Sequence, residues 1–402
     1  MISRRQLMAS SIAGAALAMA PRVVLAAGPT EARFVVVLLR GGMDGLSAVA
    51  PHGDPDYRRL RGDLAVAAPG SADGLLPLDG FFGLHPALRP IHGLYATKEL
   101  TVIHAVGTSY RQRSHFDGQN VLENGTDTAY STPDGWLNRT LGAIGMSDRR
   151  LGLAVGPSVP IMIRGPVPVA TYAPRVLPEV DGSFIARVRG MYGGDRLLHA
   201  ALEQAVQSQA MTDDVLGEET PRGMVAPRRR AQQRAGMREL FGAAGKLLAD
   251  AAGPRLAVID TDGWDTHANQ KLLLGNMLGA LGEALAELKS GLGAAWANTV
   301  VITATEFGRT AAANGSAGTD HGTASVSLVM GGRVAGGRAI GSWPGLTERA
   351  LYEGRDLAVA TDLRAVVKGV LRDHVGVREA ALEDQVFPGS RSAPALTGLI
   401  RA

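Results

Sequence analysis

The stretch "RFVVVLLRGG", Arg33 to Gly42, is a continuous apolar run that ends in a pair of glycines. A strand covered on both faces has no need to alternate apolar with polar, so the run reads as a buried strand of a parallel sheet. Four more stretches read the same way: "LTVIHAVG" (Leu100 to Gly107), "RLAVID" (Arg255 to Asp260), "NTVVITATEFG" (Asn298 to Gly308) and "SVSLVMGG" (Ser325 to Gly332). Helical patterns lie between them. "ALRPIHGLYATKEL" precedes the second strand and "FDGQNVLENG" comes after it. "RAQQRAGMRELFGAAGKLLADAAG" and "NQKLLLGNMLGALGEALAELKSGL" precede the third and fourth, with Gly253 and Gly293 where helix stops are expected. "TDLRAVVKGVLRDHVGV" adds an amphipathic helix near the C-terminus. Strands alternating with helices predict an α/β fold with a largely parallel sheet.

Composition sets the bounds. The chain has 402 residues, 46% hydrophobic and 20% charged, with 52 glycines and few aromatics, which suits a compact α/β protein with many tight connections. The absence of cysteine excludes disulfides, thiolate metal ligands and a cysteine nucleophile. The stretch from Gln207 to Arg230 lacks periodicity and reads as a flexible surface segment.

The N-terminus reads as an export address. Arg4 and Arg5 precede an apolar stretch from Leu7 to Ala20, and small residues close it at Ala26 and Ala27. This predicts a twin-arginine signal over residues 1–27, handled by the twin-arginine machinery, and a single domain over 28–402. The apolar stretch is short for a membrane span, which takes ~20 residues. The expected location is periplasmic or extracellular. Lys and Arg total 41 and Asp and Glu 38. Once Arg4, Arg5 and Arg22 are set aside the two signs balance, so no nucleic-acid partner is expected. The basic run from Arg228 to Arg234 reads as a solvated helix face.

In open α/β sheets ligands bind beyond the carboxyl ends of the strands. In this chain the segments just after the strands are rich in acids and imidazoles. "GGMDGLS" carries Asp44, and "GTSYRQRSHFDGQN" carries Ser114, His115 and Asp117. "DTDGWDTHANQ" carries Asp260, Asp262, Asp265 and His267. The loop "TEFGRTAAANGSAGTDHG" carries Glu306, Arg309, Asp320 and His321. Oxygen and imidazole donors suit zinc, manganese, calcium or magnesium. One or two such ions at this rim could clamp an anionic substrate and activate a nucleophile. Taken singly, several of these residues have plainer roles. Asp44 between glycines suits a turn, and Ser114 with Asp117 suits a capping box. Glu306 with Arg309 suits a loop-holding ion pair, and His104, inside an apolar strand, suits a satisfied core histidine.

Together "LLRGGMDGLSAVAPHGDPDYRRLRGDLAV", "RSHFDGQNVLENG", "GWDTHANQ" and "TEFGRTAAANGSAGTDHGTASVSLVMGG" resemble the bacterial domain-of-unknown-function 1501 family. That family is similar to the alkaline phosphatase and sulfatase superfamily. The resemblance implies an alkaline-phosphatase-like three-layer α/β/α sandwich with a mostly parallel central sheet. It implies metal ligation by Asp44, Asp265, His267, Asp320 and His321. It also implies a nucleophile at Ser114 beside His115. Three departures stand out, the first being that Asp265 and His267 lie closer together than the superfamily's spacing. His374 is the only histidine after His321, and "RSHFD" lacks a formylglycine signature.

The expected function is hydrolysis of a phosphate or sulfate ester, on a small anionic molecule or an envelope glycan. Ser114 would attack, Arg309 or Arg113 would hold the ester oxygens, and Glu306 would orient Arg309 or support a metal ligand from behind. The alternative is a metal-stabilised binding or assembly protein of the cell envelope, with Ser114 only a helix cap.

Overall fold

Along Arg33–Leu39 (β1) the side chains divide evenly between two cores. Val35, Val37 and Leu39 enter one apolar cluster, and Phe34, Val36 and Leu38 enter the other. That division is why the strand shows no polar position after Arg33: both of its faces are covered by helices. A computed structural model of the protein describes residues 31–145, 151–173, 182–207 apart from 193, 196 and 205, and 229–401. The expected signal over 1–27, and nearly all of the expected flexible segment near 207–230, lie outside the described residues. Glu31–Ala402 forms one unit by its internal contacts.

After β1 come Leu100–Gly107 (β2), Gly152–Val155 (β3), Ala170–Tyr172 (β4), Leu256–Thr261 (β5), Thr299–Ala304 (β6), Ser325–Met330 (β7), Arg338–Ile340 (β8) and Thr361–Asp362 (β9). The main sheet runs β8-β2-β7-β6-β1-β5-β3-β4, with β9 also beside β2. Every pairing in it is parallel except the two made by β7. The helices used below are Arg89–Ala96 (α1), His115–Asn124 (α2), Trp136–Ala143 (α3), Arg229–Ala249 (α4), Gln270–Leu292 (α5) and Leu363–Val370 (α6).

One face of the sheet is covered by α1, α4 and α5 through Ile91, Phe241, Leu247, Leu278 and Leu285. The other is covered by α3 and α6 through Leu137, Leu141, Val366 and Val370. The result is the expected three-layer α/β/α sandwich around a mostly parallel sheet. Gly293 closes α5 at φ 51°, the left-handed region where glycine has no steric penalty.

The sheet is mostly parallel, as expected, and β7 is its one antiparallel strand among the described residues. A parallel return needs a crossover that carries the chain back to the starting edge, usually by a helix. The segment between Ala304 and Ser325 contains no helix. It stays at the carboxyl edge of β6, and β7 descends from there. A loop of this length is therefore held entirely at one rim of the sheet.

Candidate functional site

Register brings the site segments together. Leu39 pairs with Thr261 and Leu38 with Ala304, so the chain leaving β1, β5 and β6 emerges side by side. Ser325 pairs with Val106, which sets the end of the 305–324 loop beside the exit of β2 and the approach to α2. Glycines permit the close approach. A Cβ on Gly41 would lie 2.5 Å from the Asp265 backbone nitrogen, and one on Gly318 would lie 2.2 Å from the His267 carbonyl oxygen. Gly318, two residues before Asp320, thus lets the two loops pack backbone to backbone.

Four side chains from three of these loops meet at that rim. His115 Nε2 lies 2.9 Å from His321 Nε2, and His267 Nε2 lies 3.0 Å from His321 Nε2. Asp265 reaches all three rings. Its Oδ1 is 3.0 Å from His267 Nε2 and 3.3 Å from His321 Nε2, and its Oδ2 is 3.4 Å from His115 Nε2. His115 and His321 are about a quarter exposed, while Asp265 and His267 are nearly half exposed, so the cluster opens to solvent.

The outer nitrogens decide what the inner ones can do. His115 Nδ1 sits 2.7 Å from the Glu306 carboxylate, and His321 Nδ1 sits 3.0 Å from the Arg113 carbonyl oxygen. Both partners only accept, so in the neutral rings both Nδ1 atoms carry the proton and both Nε2 atoms present lone pairs. Two lone pairs facing each other at 2.9 Å repel unless a positive charge lies between them. His115, Asp265 and His321 each offer a ligand atom to a common point, all within 4.8 Å of one another. Ligands bound to zinc at 2.0–2.1 Å with tetrahedral angles stand about 3.3 Å apart, close to the separations seen here. The residues fit a divalent cation. His115 with Glu306, and His267 with Asp320 at 3.4 Å from Nδ1, have the carboxylate–histidine arrangement that orients metal-binding imidazoles.

The charges around the cluster are set by specific partners. The hydrogen bond that His115 donates to Glu306 raises the pKa of His115. Burial, helped by the positive charge of Arg309, lowers that of His321. Glu306 is fully buried. Burial opposes its ionisation, but hydrogen bonds from His115, Gln119 and the Gly41 N–H outweigh it and hold its carboxyl below the usual range. Burial likewise opposes ionisation of Asp265, and its ion pair with Arg309 outweighs that. Asp320 is lowered by the hydrogen bond from Asn314.

Three expected roles change. Asp44 is fully buried, and both of its oxygens face Arg61, at 2.6 and 2.8 Å. It also accepts from Ser47 Oγ, the Leu46 N–H and Gln270 Nε2, and it caps the short helix Gly45–Ala48. A carboxylate so engaged has no oxygen left for an ion, so Asp44 is not part of the cation pocket. Arg309 is also fully buried. It donates to the carbonyls of Gly41, Gly42, Trp264 and Thr319 and to Asp265, so it ties three loops together and does not face a substrate. Of the two roles expected for Glu306, the structure favours the support of a candidate ligand: it orients His115. Arg113 pairs with Asp356 and Glu353.

Ser114 stands at the N-cap position of α2, yet its side chain makes no capping hydrogen bond. The expected capping box is absent, because the Asp117 carboxylate turns to the Tyr110 hydroxyl instead. His115, expected beside a nucleophile, lies among the ligand candidates. Gln119, Asn314 and the Arg113 carbonyl also support the cluster. Sequence reasoning passed over them, since amides and a carbonyl carry no metal-ligand signature. His104, as expected, is a satisfied core residue, with Nε2 2.8 Å from the Val49 carbonyl oxygen.

The sequence model of the family described as "Protein of unknown function (DUF1501)" matches residues 105–386. No curated protein matches the chain. Among solved structures it is similar to a 2-O GAG sulfatase, at 9% identity and a TM-score of 0.42 over 91% of this chain and 73% of that one. It is similar to the PsFucS1 sulfatase from Pseudoalteromonas sp., at 13% identity and a TM-score of 0.40 over 100% of this chain and 78% of that one. It is also similar to a phosphonate monoester hydrolase of Agrobacterium radiobacter, at 13% identity and a TM-score of 0.34 over 86% and 74%. No helix among the described residues is long and apolar enough to cross a membrane.

Proposed function

The chain belongs to the DUF1501 family, and on that premise we propose that it is an exported metal-dependent hydrolase of phosphate or sulfate esters. The observation that carries the reading is the pair of imidazole nitrogens, His115 Nε2 and His321 Nε2, held 2.9 Å apart beside Asp265. His267 completes the donor set, with Asp320 behind it. A divalent ion held there would polarise an ester oxygen and favour an ionised nucleophile.

The chain's own residues support ester attack at one atom. Ser114 Oγ is released from capping at the N-terminus of α2, a helix of ten residues. The unsatisfied N–H groups of that first turn favour negative charge on an incoming ester or on the serine oxygen itself. Ser114 immediately precedes His115, so the nucleophile and the cation pocket share one backbone turn. Glu306 fixes the His115 ring, and Arg309 fixes the Asp265 carboxylate. Export rests on Arg4, Arg5 and the apolar stretch after them, and places the enzyme in the periplasm or outside the cell. Its substrate is a small anionic ester, or an ester carried on an envelope glycan.

The second reading is a non-catalytic binding or assembly protein of the cell envelope, stabilised by the ion. It is favoured by Arg309 and Arg113, whose guanidinium groups are engaged by carbonyls and carboxylates instead of facing a substrate. One assay separates the two. Phosphate and sulfate monoesters are offered to the wild type and to Ser114→Ala, with zinc, manganese, calcium or magnesium added. Turnover by the wild type alone supports the hydrolase. Metal binding with no turnover of any ester supports the binding protein.

A further inference from the structure

Gln270 is buried at the first position of α5, and its amide touches three loops at once. Its Oε1 accepts from Thr266 Oγ1 at 3.0 Å and from Thr319 Oγ1 at 2.6 Å. Its Nε2 donates to Asp44 Oδ2 at 2.5 Å. The amide can stand only this way round. The Asp44 carboxylate accepts and so demands the NH2 group, while the two hydroxyls donate to the oxygen. Thr266 lies between Asp265 and His267, and Thr319 immediately precedes Asp320 and His321. Each hydroxyl therefore ties one ligand-bearing segment to the amide.

The backbone around Gln270 repeats the connection. The Asn269 and Gln270 N–H groups donate to the Ser316 and Ala317 carbonyls, at 3.2 and 2.9 Å, and the Thr319 N–H donates to the Thr266 carbonyl at 3.4 Å. Beyond the amide, Asp44 is locked by the Arg61 guanidinium through two short contacts, 2.6 and 2.8 Å, with both side chains fully buried. A buried ion pair adds little net stability, but it holds its partners in one geometry.

The geometry points to Gln270 as a positioning residue that sets the spacing between His267 and His321. It does so by clamping Thr266 and Thr319 to a single oxygen and anchoring that oxygen, through Asp44 and Arg61, to the end of β1. Asp44 thereby contributes to the cation pocket without touching it. This inference rests on the metal-centre reading and is independent of which ester, if any, is hydrolysed.

The experiment measures zinc affinity of the whole protein by competition with a chelating dye, alongside thermal unfolding in the presence of a chelator. Gln270→Leu keeps the volume and loses both functions of the amide. Gln270→Glu keeps an acceptor for the threonines but sets a second carboxylate against Asp44. Thr266→Val and Thr319→Val each remove one donor with little change of shape, which covers the case in which a Gln270 variant fails to fold. Val370→Ala, in the core on the opposite face of the sheet, controls for general destabilisation. The expected result is a loss of zinc affinity of roughly 10–100-fold for the Gln270 variants, the usual effect of removing an outer partner, with a smaller loss for each threonine variant. Val370→Ala lowers the unfolding temperature and leaves zinc affinity alone. Wild-type affinity in the Gln270 and threonine variants overturns the inference while leaving the metal centre standing. So does a loss in Val370→Ala that matches theirs. A wild type that binds no zinc overturns both.

Discussion

His115 and His321 are 206 positions apart in the chain, and their Nε2 atoms stand 2.9 Å apart, each ring fixed at its other nitrogen by an acceptor. Two neutral imidazoles held in this way oppose each other, and a cation reverses the sign of the interaction. Zinc should therefore stabilise the fold. At a free concentration 100 times the dissociation constant the gain is about 2.7 kcal/mol. Calorimetry with and without a chelator measures it. His321→Ala should abolish the shift, and a shift of equal size in that variant would show that the ion binds elsewhere.

Ser114→Ala discriminates chemistry from capping. Removing a serine that caps a helix costs about 1 kcal/mol. Because the Ser114 side chain makes no capping bond, the variant should unfold within about 0.5 kcal/mol of the wild type in urea. Its zinc affinity should be unchanged and its ester turnover lost. A full capping cost with retained turnover would return Ser114 to a structural role.

The Arg61–Asp44 pair offers a stability test. Both side chains are fully buried, so Arg61→Met strands a carboxylate in the core. The expected cost is about 3–5 kcal/mol, read from the denaturation midpoint. Asp44→Asn added to Arg61→Met should recover part of that loss, since an amide needs no counter-charge. A double variant no more stable than the single one argues that lost packing, not charge, dominates.

His104 predicts an acid-sensitive core. Its Nε2–H donates to the Val49 carbonyl and its Nδ1 accepts from the Ala105 N–H, so both nitrogens are committed to the neutral ring. Burial pushes its pKa down to about 4 from an ordinary 6.5. As pH falls below 6.5, the unfolded chain takes up a proton that the folded chain refuses. This contribution is fully present above pH 6.5 and is lost on acidification until the folded ring also protonates, near about 4. The loss is on the order of 1–3 kcal/mol. His104→Gln should flatten the dependence of unfolding free energy on pH across that window. An unaltered slope would assign the acid sensitivity to other groups.

Gly318→Ala tests the packing of the two ligand loops. The added Cβ would lie 2.2 Å from the His267 carbonyl oxygen and 2.3 Å from its carbon, so one backbone must move. The expected outcome is a loss of about 1–3 kcal/mol together with weaker zinc binding. Normal affinity in the variant would mean that His267 contributes little to holding the ion.

The five strands read from unbroken apolar runs are all present, as are the helices between them, because burial on two faces leaves a signature that survives in one dimension. The strands Gly152–Val155 and Ala170–Tyr172 left no such signature, being four and three residues long, too short to show any period. The direction of β7 was also hidden. An apolar run looks the same read either way, and only its hydrogen bonds to β2 and β6 orient it.

The amino-acid order by itself determined where chemistry gathers: acids and imidazoles come directly after the strands, and a parallel sheet puts those segments on one rim. The task of each side chain there was decided by tertiary structure. Asp44 and Asp265 look alike in sequence, but Arg61 encloses one, while the other stands open between three imidazoles. His115, set by sequence beside a nucleophile, became a ligand candidate because Glu306, from a loop 191 positions away, turns its ring toward His321. A carboxylate or an imidazole takes its role from the partner that reaches it first, and those partners arrive through the fold.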